Sequence, residues 1–279
     1  MKQEFNDRAD IRRFEQFLLT EEKSKATIEK YMRDVRCFLS FLEDKRLYKE
    51  AVIAYKEHLT ARYAPASVNS MLVALNCFLR FTGRQDCCVK LLKIQRQIFC
   101  REDKELSARE YRRLVKAAQG TRLSLVLQTI CGTGIRVSEL QYITVEAVRA
   151  GKAVVNCKNK TRVIFIPTSI QKLLRPYIKK SGITAGSVFV TRSGKPLNRR
   201  NIWRDMKALC KRAGVSQDKV FPHNLRHLFA RTFYSVDKDI VRLADLLGHS
   251  SVDTTRIYTM ETGNEHRLRL ERVKKLLMT

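Results

Sequence analysis

The chain has 279 residues, enough for one large domain or two ordinary ones, and 44% are hydrophobic, which excludes a chain too polar to build a core. Lys and Arg total 55 against 28 Asp and Glu, a net charge of +27 spread along the sequence, so the expected partner is a polyanion, nucleic acid first and anionic membrane second. No apolar run is long enough to cross a bilayer and the N-terminus has no signal-peptide core, which predicts a cytosolic protein without a membrane partner.

In chain order, Phe14, Phe17 and Leu18 mark a short first helix. From Ile28, the positions Ile28, Tyr31, Val35, Phe38, Leu39 and Leu42 recur every three or four residues. This is the buried stripe of a helix of about four turns, with Ser24 or Thr27 as its cap. Ser67 is read as opening another helix after Pro65, with Val68, Leu72, Leu75 and Leu79 on one side. Residues 1–92 are therefore expected to form a small helical domain with basic outer faces, and 93–104, rich in Lys, Arg and Gln, a basic linker. A second domain, 105–279, opens on the capping box Ser107-x-x-Glu110. In it, 152–155 and 162–166 read as strands flanking the polar turn 156–161, and 187–190 as a third strand closed by Arg192-Ser193-Gly194. Helices are expected over 169–180, 198–213, 222–235, 238–247 and 251–258. The fold class is mainly α with a small antiparallel β-sheet. The eight cysteines show no C-x-x-C pair and no zinc spacing, so reduced thiols acting as small apolar residues are expected, and no metal.

Three segments concentrate residues able to act on a phosphodiester. In Gly132-Thr133-Gly134-Ile135-Arg136-Val137-Ser138-Glu139-Leu140, glycines stop an apolar helix and Arg136 begins the next one, where its fork and the helix amides can face a phosphate. In His223-Asn224-Leu225-Arg226-His227, after Pro222, His223 and Arg226 share a helical face; His227 either joins them or packs into the core. In Leu246-Leu247-Gly248-His249-Ser250 and Asp253-Thr254-Thr255-Arg256-Ile257-Tyr258, Gly248 ends a helix and leaves His249 in a loop, nine residues before Tyr258. A phenol with an ordinary pKa of about 10 becomes a nucleophile only where positive charge stabilises its anion. Taken singly, each segment reads more simply as a helix stop with a solvated arginine, a chance His-x-x-Arg pair or a packing tyrosine.

Taken together and in this order, the stretches G-T-G-I-R-V-S-E-L, P-H-N-L-R-H and L-L-G-H-S-S…T-T-R-I-Y resemble the signature motifs of the tyrosine recombinase (phage integrase) family, and T-I-E-K-Y-M-R-D-V-R-C-F-L-S-F-L resembles the opening helix of its core-binding domain. The absence of room for an extra N-terminal module makes the chain similar to the simpler, Xer-like members. The resemblance implies a helical core-binding domain followed by an α+β catalytic domain, closing as a clamp on double-stranded DNA. It implies that Tyr258 attacks the scissile phosphate to give a 3′-phosphotyrosine, that Arg136 and Arg226 hold the non-bridging oxygens, that His223 assists proton transfer and that His249 hydrogen-bonds the phosphate. A hairpin lysine would protonate the leaving 5′-oxygen. The family's G-K-G-N-K turn is here Asn156-Cys157-Lys158-Asn159-Lys160, so Lys158 is taken for that role with Lys160 as the second choice. Glu139 is expected to buttress Arg136. No cofactor is implied, since the ester itself conserves the bond energy. Four protomers would form a synaptic tetramer, with a terminal helix bearing Leu268, Val273, Leu276 and Leu277 exchanged in trans or docked in cis. The competing readings are type IB topoisomerase-like relaxation and a non-catalytic DNA-binding relative.

Overall fold

A computed structural model of the chain describes residues 7–42, 47–94, 104–157, 160–249, 251–258, 267 and 271–274. Contacts divide the chain into two compact units, Met1–Arg96 and Gln97–Thr279.

The first unit is helical: α1 (Asp7–Thr20), α2 (Lys25–Leu42), α3 (Lys49–Thr60) and α4 (Pro65–Phe81). The stripe of α2 is buried at Ile28, Val35, Phe38, Leu39 and Leu42, against Phe14 and Leu18 of α1. Of the two candidate caps Ser24 is used, its hydroxyl accepting from the Thr27 amide at 3.3 Å. α4 starts two residues before the expected Ser67, because Pro65 suits a first helical position, where its missing N–H is no loss. α3 has no clear apolar periodicity in the sequence. It buries Ala51, Val52, Tyr55 and Leu59, a stripe carrying only two large side chains. Two asparagines on α4 then fasten the departing chain. The Asn76 amide donates to Val89 O (2.8 Å) and accepts from Val89 N (3.0 Å), and Asn69 does the same for Leu92 (2.9 and 2.7 Å). An extended segment with no strand beside it among the described residues thereby satisfies backbone groups of Val89 and Leu92.

The second unit opens on the expected capping box. Ser107 Oγ accepts from Glu110 N, and Glu110 Oε2 accepts from Ser107 N at 2.8 Å. It contains α5 (Ala108–Ala117), α6 (Arg122–Thr133), α7 (Val145–Ala150), α8 (Thr168–Lys180), α9 (Arg199–Ala213), α10 (Pro222–Val236) and α11 (Ile240–Leu247). α6 and α10 pack on each other in a core that includes Leu127, Ile130, Leu225 and Leu228.

The hairpin pairs β1 (Lys152–Cys157) with β2 (Lys160–Phe165), antiparallel, in the register Val155 to Arg162 and Cys157 to Lys160. It is longer than expected: residues 156, 157, 160 and 161, read as turn, continue the ladder. Alternation sends Ala153, Val155 and Ile164 inward and Val154, Val163 and Phe165 out. The third strand is not present among the described residues. Residues 187–190 make only isolated bridges, Thr144 with Ser187 and Val190 with Pro196, with too few neighbours for a ladder. The expected final helix over 251–258 is also corrected, to two 3₁₀ turns, Val252–Thr254 and Arg256–Tyr258. Lys158, the central part of the basic linker (95–103), and Leu268, Leu276 and Leu277 of the terminal stripe lie outside the described residues.

Candidate active site

Helix stops place the first and third segments. α6 ends at Gly134 (φ +63°), and Arg136 follows as the residue capping the 3₁₀ helix Val137–Tyr142. A β-carbon at Gly134 would overlap one edge of the Phe229 ring, so both backbone angle and space require glycine there. α11 ends at Gly248 (φ +63°), and His249 leaves directly after it. Between them lies α10, whose register turns Arg226 and His227 toward Tyr258, with His223 against the His227 ring.

Three guanidinium groups converge on the C-terminal carbonyls of α11. Arg162 Nη1 donates to Leu246 O (2.8 Å), Arg226 Nη2 to Leu247 O (2.6 Å) and Arg136 Nη2 to Gly248 O (3.3 Å). The last carbonyls of a helix carry its negative pole and lack intrahelical donors, so cations are stabilised there. Arg226 also donates through Nη1 to Gly134 O (2.6 Å), which ties the first segment to the third. It is only 2% exposed, and burial followed by the charge of Arg136 lowers it to about 10, still protonated at neutral pH.

Glu139 supplies the counter-charge. It is 2% exposed, accepts from Arg136 N (2.9 Å) and Arg136 Nη1 (3.0 Å), and is paired with Arg162. Burial alone would raise this carboxyl, but the Arg136 backbone bond and the Arg162 charge hold it below the usual range. Its expected role as a buttress of Arg136 matches this geometry. Arg136, by contrast, keeps 40% of its side chain exposed.

The Tyr258 ring is buried (3% exposed) between two imidazoles, with centroids 4.5 Å from His227 and 5.8 Å from His249. His227 also meets His223 edge to face at 4.6 Å, so of the two readings left open for it, the ring joins the cluster. His249 Nε2 lies 3.1 Å from Arg226 Nη2 and Nδ1 lies 2.8 Å from Thr255 Oγ1. Arg has donors only, so Nε2 must accept, and the ring proton sits on Nδ1, donated to the buried Thr255 hydroxyl. A neutral His249 follows, in keeping with a pKa pushed to about 4 by burial and by Arg226, Arg136 and Arg162. His227 is likewise lowered to about 4, by burial and then His223 and Arg226; His223 is lowered by its surroundings and by Arg226 and Arg136.

The structure thus brings Arg136, His223, Arg226, His249 and Tyr258 together, and adds His227 and Arg162. Arg162 went unnoticed in the sequence, where it is one basic residue among 55 on a strand facing no evident partner. Lys160 opens β2. Among the described residues no group of three or more His, Cys, Asp or Glu is arranged to hold a metal ion.

The Phage integrase family model matches residues 104–265, which include every member of this cluster, and the model of the phage integrase N-terminal SAM-like domain matches 11–86. The chain belongs to the phage integrase family. Among relatives of this tyrosine recombinase family, the tyrosine recombinase XerA of Thermococcus kodakarensis is 31% identical over 276 residues, 95% of each chain. The fold is that of a lambda integrase (75–356) dimer bound to a COC′ core site, with TM-score 0.75, 20% identity, and coverage of 92% of this chain and 96% of that one. It is also that of a lambda integrase tetramer bound to a Holliday junction, with TM-score 0.71, 20% identity, 88% and 77%.

Proposed function

We propose that the protein is a site-specific DNA recombinase that cuts and rejoins double-stranded DNA through Tyr258. The observation that carries this reading is the burial of the Tyr258 ring between His227 and His249 beside Arg226, in a pocket holding three guanidinium groups and one carboxylate. The phenol oxygen attacks phosphorus and the bond to the 5′-oxygen breaks, leaving a 3′-phosphotyrosyl ester. The phenol proton passes to His223, and a hairpin lysine, Lys158 or in second place Lys160, returns a proton to the 5′-oxygen. Arg136 and Arg226 offset the charge that builds on the non-bridging oxygens, the contribution that preorganised donors make in a desolvated site. His249 first accepts from Arg226; a phosphate oxygen arriving at Arg226 takes that donor, and the anion favours a proton on Nε2, which then donates to the phosphate. Attack by the 5′-hydroxyl of a partner strand reverses the steps and uses the same groups in reverse order.

The family's relatives favour neither a relaxing type IB-like enzyme nor a non-catalytic DNA-binding relative. Residues 1–92 are assigned to core binding, 93–104 to a basic linker and 105–279 to catalysis, with four protomers in the synapse and the terminal helix exchanged in trans. No helix among the described residues is long and apolar enough to cross a membrane, and the protein is assigned to the cytoplasm.

The test uses sheared DNA of the source genome, nicked at random so that the cleaved 5′-hydroxyl fragment diffuses away and cannot religate. Protein–DNA adducts resistant to detergent are captured and sequenced. The wild type enriches a defined sequence and Tyr258→Phe captures none. Equal capture by the two, or none by either, ends this reading.

A further inference from the structure

We propose that Arg162 is a positioning residue for strand cleavage: it shares the Glu139 carboxylate with Arg136, so that the outer edge of Arg136 stays free for the scissile phosphate, and it holds the turn that carries His249. The inference rests on the reading of this cluster as the active site.

Arg162 stands on the inward-facing row of β2 with Ile164, opposite the buried Val155, and only 14% of its side chain is exposed. A guanidinium in that position is costly unless paired. It pairs at two points: Nη2 with Glu139, and Nη1 with Leu246 O at 2.8 Å. Its Nε–H meets no acceptor among the described residues, a penalty of about 1–3 kcal/mol that a side chain serving stability alone has no reason to carry. Apolar replacement of a buried ion pair is often neutral or stabilising, so the pairing itself is weak evidence for a stabilising role. The third motif is also shaped around this side chain. A β-carbon at Gly248 would overlap Arg162 Cδ, so the glycine that stops α11 also admits the arginine beneath the turn.

The charge arithmetic gives the consequence. One buried carboxylate faces two guanidinium groups, and only Arg136 keeps a substantial exposed edge. Without Arg162, Glu139 has Arg136 as its sole counter-ion. That pair is neutral, the Arg136 fork turns inward, and the phosphate site loses close to one unit of positive charge. The Leu246 carbonyl loses its donor in the same stroke, which loosens the turn before His249.

The experiment measures single-turnover cleavage of the nicked duplex enriched by the wild type, with duplex binding by gel shift and thermal melting recorded for each variant. Arg162→Met, which keeps stem length without charge, is expected to slow cleavage about 10²-fold, the scale of losing one preorganised charge contact, with duplex binding little changed. Arg162→Lys, a point charge without the fork, falls within about 10-fold of wild type. The deciding variant is Arg162→Met with Glu139→Gln. Removing the carboxylate releases Arg136, so the double variant cleaves about 10-fold faster than Arg162→Met, which a merely structural role for Arg162 would not produce. A double variant no faster than Arg162→Met overturns the proposal, as does wild-type cleavage by Arg162→Met. Should Arg162→Met fail to fold, the neutral but polar Arg162→Gln with and without Glu139→Gln decides: unchanged by Glu139→Gln, its rate overturns the proposal, and raised, supports it. Failure of the wild type to form any adduct would instead defeat the active-site reading.

Discussion

Acid should loosen the catalytic unit well before its carboxylates titrate, and the cause can be placed on two rings. His227 and His249 are held at about 4 in the folded chain, against an ordinary value of 6.5. His227 faces His223, Arg226 and the Tyr258 ring; His249 faces Arg226, Arg136 and Arg162. Lowered histidines favour the folded state while neutral, so their contribution is full above pH 6.5 and is lost as pH falls from there toward 4, where the unfolded chain binds the extra protons. For the buried His227 ring the loss between pH 7.5 and 5 is about 2 kcal/mol; His249, more open to solvent and so more screened, adds about 1 kcal/mol, roughly 3 kcal/mol together. In a unit of this size that lowers the melting temperature by roughly 10 °C. Glu110 and Glu139, both held below their ordinary carboxyl value, lose their contributions only below about 4.5, outside this window. The assay is thermal melting across pH 5 to 7.5, paired with NMR titration of the imidazole ring protons. His249→Asn should shed about a third of the slope, since asparagine can still meet Arg226 and Thr255 but does not titrate. Both rings titrating near 6.5 in the folded protein, or a melting temperature unchanged over the interval, would refute the reasoning.

Three further outcomes are open to measurement. Gly134→Ala meets the Phe229 ring at a positive φ, so it should destabilise the catalytic unit by about 2 kcal/mol or more, read by urea denaturation. Asn76→Ala leaves Val89 N and O unpaired in a buried setting and should cost on the order of 2–3 kcal/mol, whereas Asn76→Asp, which keeps only the acceptor, should recover the Val89 N contact alone. Duplex affinity should fall steeply and log-linearly with salt, as counterion release from many phosphate contacts requires; a flat response would separate the charge of +27 from DNA binding.

What the sequence disclosed depended on the range of the interaction behind it. The α2 stripe, the Ser107–Glu110 box and the glycine stops at Gly134 and Gly248 are settled within one or two turns of chain, and all were readable. α3 escaped because Ala51 and Val52 make a thin stripe, which only packing against α4 and the first unit's core turns into a helix face. Residues 251–258 have helical spacing, yet Ser251 and Thr255 use their side chains locally, on the Asp253 amide and the His249 ring, which favours tight turns over a continuous helix. The site divides the same way. Arg136, Arg226 and Tyr258 were found because each lies in a motif. Arg162 was not, because its partners stand 23 and 84 residues away and nothing adjacent to it signals them. Such a residue is identified by counting charge: a buried glutamate facing Arg136 alone gives a neutral pair and leaves Arg226 as the site's one net cation, and the second surplus cation can come from any strand that folds beneath the turn.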